Sequence, residues 1–309
     1  MSRFEQVRSI LIGQDIHDVP QPAIILDVAV ARRHCRSMLS AVKTLGVGFG
    51  AHVKTHKNDE SRDAKFITST VAEIEHLLPL LMDYQAKGRK VNILDGIPLP
   101  ASAASRLAKI ALKLGPGTVS VLIDHVSQLS SLAAIFAKTQ SPISIYIKVD
   151  TGYHRAGLPP TALNTGGLLG KLLELEAAAQ VTLLGLYSHS SLSYTGTSPR
   201  RPWKVSLTHS SMLAGTSREL TISVGASPQA VSMQNFAETV ADLDENVSQL
   251  RQKMQQNQPT SHPLGARPKH PDLSQSCMCR WCHVSVLFAI RSIKNELLAQ
   301  SSSTNVSPE

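Results

Sequence analysis

The chain has 309 residues, of which 42% are apolar, 17% charged and only 4% aromatic. That is enough to bury a full core of Leu, Ile, Val and Ala, and it excludes a disordered chain. No run reaches the roughly 18 uninterrupted apolar residues of a membrane-spanning helix, and the formal charge of +8 is scattered rather than gathered into the basic stripe of a nucleic-acid binder.

Residues 1–20 form a lead-in with no apolar run ahead of a small-residue cleavage site. No secretory leader is therefore expected, and a cytoplasmic enzyme is. From there short β-like runs alternate with helical patterns. Strands are predicted over residues 23–26, 47–53, 67–69, 91–94, 119–123, 143–149, 181–187 and 220–224. Amphipathic helices are predicted over 28–45, 71–87, 101–114, 126–139, 162–179 and 203–215. Strict alternation implies a parallel sheet. Eight such units over about 250 residues fit a closed (β/α)8 TIM barrel, whose reactive groups sit at the C-terminal strand ends. An open doubly wound sheet would carry a G-x-G-x-x-G or Walker loop after an early strand, and none occurs.

The barrel is expected over residues 21–235, followed by a helix at 236–255 and an irregular, disordered tail at 256–309. Within that tail, Cys277, Cys279, Cys282 and His283 spell C-x-x-C-H and offer four zinc-type ligands. Haem attachment needs an export compartment and a cytochrome context, and neither is visible. The expected reading is free thiols, with no metal ligand assigned. Cys35, alone in a helical pattern, reads as a small buried hydrophobe.

The chemistry collects at the ends of the predicted strands. The second ends in His52-Val53-Lys54, the sixth in Asp150-Thr151-Gly152-Tyr153-His154-Arg155, the seventh in Tyr187-Ser188-His189 with Tyr194 beyond, and the eighth in Gly225-Ala226-Ser227. A lysine at the end of a buried strand is a candidate Schiff-base amine, because desolvation favours the neutral nucleophile. Small residues after the last strand let backbone N–H groups approach a phosphate. Lysine and phosphate turn together suggest pyridoxal 5'-phosphate, with Arg155 suited to its phenolic oxygen and His189 to its ring.

These motifs, together with Ile93-Leu94-Asp95-Gly96-Ile97-Pro98, Ile123-Asp124-His125 and Ser223-Val224-Gly225, resemble the D-serine dehydratase and D-threonine aldolase family over about residues 20–230. These are pyridoxal phosphate enzymes of fold type III with an alanine racemase-like N-terminal barrel. The resemblance implies Lys54 as the catalytic and cofactor-bearing lysine. It implies Arg155, His189 and Tyr194 near the ring, and Gly225, Ala226 and Ser227 at the phosphate. It further implies a lyase that converts D-serine to pyruvate and ammonia. D-threonine aldolase or racemase activity, or a non-catalytic cofactor-holding barrel, are the alternatives. Zinc is expected for the family, but its ligand-bearing β domain is not recognisable here, so the C-terminal region reads as truncated. A small D-amino acid is the expected partner, and the resemblance admits a homodimer. The chain departs from the family in three places. Gly50 and Ala51 stand where an arginine is usual, Asp95 replaces a tyrosine, and Ser190-Ser191-Leu192-Ser193 lacks a histidine.

Overall fold

The computed structural model describes residues 3–20, 22–45, 48–53, 63–160, 162–189, 220–225 and 284–290. Their eight strands close into one barrel in chain order: β1 (Gly48–His52), β2 (Asp63–Thr68), β3 (Lys90–Pro98), β4 (Val119–Ile123), β5 (Ile143–Val149), β6 (Val181–Ser188), β7 (Leu220–Gly225) and β8 (Val284–Ile290). Pairing is parallel from β1 through β7. β8 runs antiparallel between β7 and β1. The helices are α1 (Arg3–Leu11), α2 (Val28–Leu45), α3 (Val71–Ala86), α4 (Ala104–Leu114), α5 (Leu129–Thr139) and α6 (Leu168–Ala177).

The middle of the chain follows its sequence pattern. β4 and β5 coincide with the predicted strands because each is a short apolar run fenced by turn residues, and α2 coincides with its predicted helix. α3 starts where a capping box fixes it: the Thr70 hydroxyl accepts from the Glu73 N–H, and the Glu73 carboxylate accepts from the Ser69 and Thr70 N–H groups. α4 stops at Gly115, whose φ of 88° suits glycine.

Two expectations are corrected. Residues 23–26 are not a strand, and Ile24 is fully exposed at 101%. A β-branched run has strand propensity, but a strand exists only where a neighbour pairs with it, and here the edge of β1 is taken by β8. Residues 256–309 were read as irregular, yet Val284–Ile290 is a strand. Its short, mostly apolar run, broken only by Ser285, is ambiguous between helix and strand by periodicity alone. α1 was not predicted. The helices expected at 203–215 and 236–255 lie outside the described residues.

Alternation along the strands sorts the core into two layers. On β3, β4 and β5, Ile93, Val121 and Ile145 face outward and pack with Ile74, Leu107, Ile135 and other helix residues. Ile67, Leu94, Leu122, Tyr146 and Tyr187 face the lumen and form a smaller cluster. Among the described residues no helix is long and apolar enough to cross a membrane.

Candidate active site at the C-terminal mouth

Because β1 to β7 are parallel, their C-terminal ends share one rim. It carries His52, Asp124, Asp150, His189 and Gly225, in strand order. Lys54 follows Val53, whose N–H bonds to the Ile67 carbonyl at 2.9 Å, but Lys54 itself lies outside the described residues. Tyr194, Ala226 and Ser227 lie outside them as well, as do the cysteine-rich segment and residues 190–193.

The segment after β5 is built by hydrogen bonds to one carboxylate. Asp150 Oδ1 accepts from the N–H groups of Gly152, Tyr153 and His154 at 3.0, 3.0 and 3.1 Å, and Oδ2 meets His154 Nδ1 at 3.1 Å. Burial pushes the Asp150 carboxyl up, but those N–H donors and the His154 imidazole together hold it below its ordinary value. Three further ties fix the loop. Leu158 exchanges backbone hydrogen bonds with Lys148 and Asp150, each at 2.9 Å. The Gly157 N–H donates to Asp124 Oδ2 at 2.8 Å, and Thr151 Oγ1 meets Ser188 Oγ at 2.6 Å. Gly157 is required here, because its φ is 108° and a Cβ would lie 2.6 Å from the Asp150 nitrogen. His154 adopts a left-handed φ of 53°, a conformation most side chains avoid.

This loop brings two of the expected residues together through a third. The Tyr153 ring stacks on the His189 imidazole, with centroids 5.4 Å apart and planes 16° from parallel. The Arg155 guanidinium carbon lies 4.2 Å from the centroid of the same phenol ring. From sequence, Tyr153 stands within the Asp150–Arg155 motif without an assigned role. Its signal was an aromatic two residues before the arginine, across one turn residue.

Lys148 is the larger omission. It is only 8% exposed and projects into the lumen with Tyr146 and Ser144. Its Nζ donates to the Val149 carbonyl at 3.1 Å and lies 5.6 Å from the Tyr187 ring centroid. Burial pushes its pKa down to about 8; Asp150 and Asp124 work against the fall, and Arg155 adds to it. Alternation in Ile143-Ser144-Ile145-Tyr146-Ile147-Lys148 would have placed it there. On β7, Ser223 faces the same lumen with no exposure and, among the described residues, no hydrogen-bond partner for its hydroxyl.

Asp95 was read as a changed residue at the mouth. In the structure it shares the outward face of the sheet with Ile93, pairs alongside Thr68 and Val121, and is 2% exposed with one oxygen unpartnered among the described residues. Burial raises its pKa to about 6; the Ile97 N–H opposes that rise and Glu73 adds to it. Its replacement of a tyrosine therefore bears on packing against the helices more than on the lumen.

The sequence of one strain of Schizosaccharomyces pombe carries a protein named D-serine dehydratase that is 29% identical over 249 residues, 74% of this chain and 58% of that protein. A Dictyostelium discoideum protein of the same name is 24% identical over 240 residues, 70% of this chain and 58% of its own length. The chain thus spans less than two thirds of the curated relatives it matches. Among solved structures, the metal-free C353A mutant of D-threo-3-hydroxyaspartate dehydratase superposes with a TM-score of 0.52 at 20% identity, covering 65% of this chain and 52% of that one. That likeness is one of fold. The family model described as alanine racemase, N-terminal domain, matches residues 22–243, and the chain belongs to that family.

Proposed function

We propose that this family member is a pyridoxal 5'-phosphate-dependent lyase of the D-serine dehydratase type, converting D-serine to pyruvate and ammonia. The observation that carries the reading is the rim geometry, in which Arg155, Tyr153 and His189 meet beside the end of β6. The names of its sequence relatives supply the reaction class.

The described residues fit the cofactor. Arg155 and His189 both pack on Tyr153 at the rim, side chains of the kinds that bind a phenolic oxygen and a planar ring, and the buried Ser223 hydroxyl near the end of β7 lacks a partner among the described residues. Bound there, the cofactor supplies the electron sink for charge that develops when a proton leaves the substrate α-carbon. The chain's own groups do the rest. Lys54, after β1, is the amine that holds the aldehyde and takes the α-proton. Arg155 holds the phenolic oxygen, His189 supports the ring with Tyr194 beside it, and the N–H groups of Gly225, Ala226 and Ser227 hold the phosphate. Among the described residues no group of three His, Cys, Asp or Glu side chains is placed to hold a metal ion.

Purified protein mixed with pyridoxal phosphate tests the reading. A visible-range absorbance band should form, and borohydride should lock the mass of the cofactor onto the peptide carrying Lys54. D-serine should then release pyruvate, while L-serine should not. Lys54→Ala should lose both signals. Absence of the band in wild type overturns the cofactor assignment. A band without pyruvate points to the cofactor-holding alternative.

A further inference from the structure

The geometry points to Tyr153 as a positioning residue. We propose that its phenol ring backs one face of the His189 imidazole and fixes the imidazole plane, so that a planar conjugated ring is received on the opposite face. The orienting half of this inference rests on the proposed function, while the stacking half stands on the ligand-free chain.

Three observations carry it. The contact is an offset parallel stack at 5.4 Å and 16°, within the range in which aromatic pairs attract beyond simple burial. A ring stacked on one face of an imidazole competes with a ligand for that face, so the opposite face is the one assigned to an incoming planar ring. Second, Tyr153 is not adrift on a loose loop. Asp150 Oδ1 accepts its N–H at 3.0 Å, and Thr151 ties the segment to Ser188, the residue just before His189, at 2.6 Å. The two stacked rings therefore sit on elements locked to each other, and their relative plane is set by the fold. Third, the left-handed His154 between Tyr153 and Arg155 turns the chain so that the guanidinium lies 4.2 Å from the Tyr153 ring centroid, within cation–π reach. That left-handed conformation is strained for a non-glycine residue, and it lies in the turn that pairs Tyr153 with Arg155. Tyr153 is 36% exposed, so its removal leaves the core of the barrel untouched.

The test begins without cofactor. The chain has 12 histidines, so the His189 imidazole resonances are assigned by loss in His189→Gln. The stacked phenol should shift the His189 ring protons upfield by its ring current. Tyr153→Ala should abolish that shift and Tyr153→Phe should keep it. Pyridoxine 5'-phosphate, which lacks the aldehyde and so reports ring and phosphate binding alone, is then titrated calorimetrically. Tyr153→Ala should weaken its binding by about 2- to 12-fold, the free-energy range of an aromatic pair, and Tyr153→Phe should restore it. With pyridoxal phosphate, the induced circular dichroism of the visible band should change in the alanine variant and recover in the phenylalanine one.

A His189 spectrum identical in wild type and Tyr153→Ala overturns the stack. Equal affinity and equal dichroism in all three proteins overturn the orienting role. Failure of wild type to bind either phosphate ester sinks the cofactor reading and the orienting role with it. A retained ring-current shift would locate that failure in the function rather than in the stack.

Discussion

The outer face of the sheet and its lumen are made of the same strands but of different material. Outward positions such as Ile93, Val121 and Ile145 carry the aliphatic layer that meets helix residues such as Leu107, all shielded from solvent. Lumen positions carry a five-residue apolar cluster beside buried Ser120, Ser144, Ser223 and Lys148. The difference teaches where stability and chemistry reside. Burying aliphatic carbon stabilises the fold, whereas buried polar groups cost free energy unless something bonds to them. The lumen is thus the destabilised side, and it opens onto the rim where the candidate site lies.

The contrast breaks most sharply in the outer layer. Leu107→Ala, at a fully buried helix position, should cost about 2–5 kcal/mol in urea unfolding. It should leave the chemistry of the rim intact at temperatures where the protein stays folded.

Lys148→Met should do the reverse. The folded pKa of about 8 lies below the ordinary 10.5, so the folded state binds the proton less tightly. The penalty is fully present below pH 8, shrinks as pH rises from there towards 10.5, and is gone above it. It is on the order of 3 kcal/mol at pH 7 as an upper bound. The variant should therefore melt higher than wild type at pH 7, with the gain vanishing near pH 10.5. A lower melting temperature at pH 7 would show that the ammonium is held by more than Val149.

Asp95 offers the outward counterpart with the opposite slope. Its folded pKa of about 6 lies above the ordinary 3.8, so the penalty is absent below about pH 3.8, grows up to pH 6 and is constant above. Asp95→Asn should stabilise by about 1–3 kcal/mol at pH 8 and by nothing at pH 3.5, read from melts across that range. Gly157→Ala, where a Cβ meets backbone, should cost about 1–3 kcal/mol and displace the Tyr153 loop, seen as a changed His189 spectrum. The smallest effect belongs to the surface. Arg106 grips Glu75 at 2.6 and 2.9 Å, yet both are solvent-exposed, and Arg106→Ala should change stability by no more than about 1 kcal/mol.

The sequence by itself determined what is local. Runs such as 119–123 and 143–149 are bounded by turn residues, so β4 and β5 could be read from period and punctuation. The same order set the parallel β1-to-β7 wall and put the ends of β1, β5, β6 and β7 on one rim, which is why the segments carrying Arg155 and His189 were legible as facing one mouth. Only the tertiary structure decided the rest. The antiparallel partner of β1 is a segment more than 230 residues away, and no local pattern in residues 23–26 could announce that they lose that edge. Lys148 became a depressed-pKa lysine only when the barrel closed around it, since desolvation depends on neighbours from every strand. The stack of Tyr153 on His189 joins the ends of two strands through a loop folded on Asp150. Period and propensity act within one segment, whereas burial, strand closure and ring stacking exist only between segments.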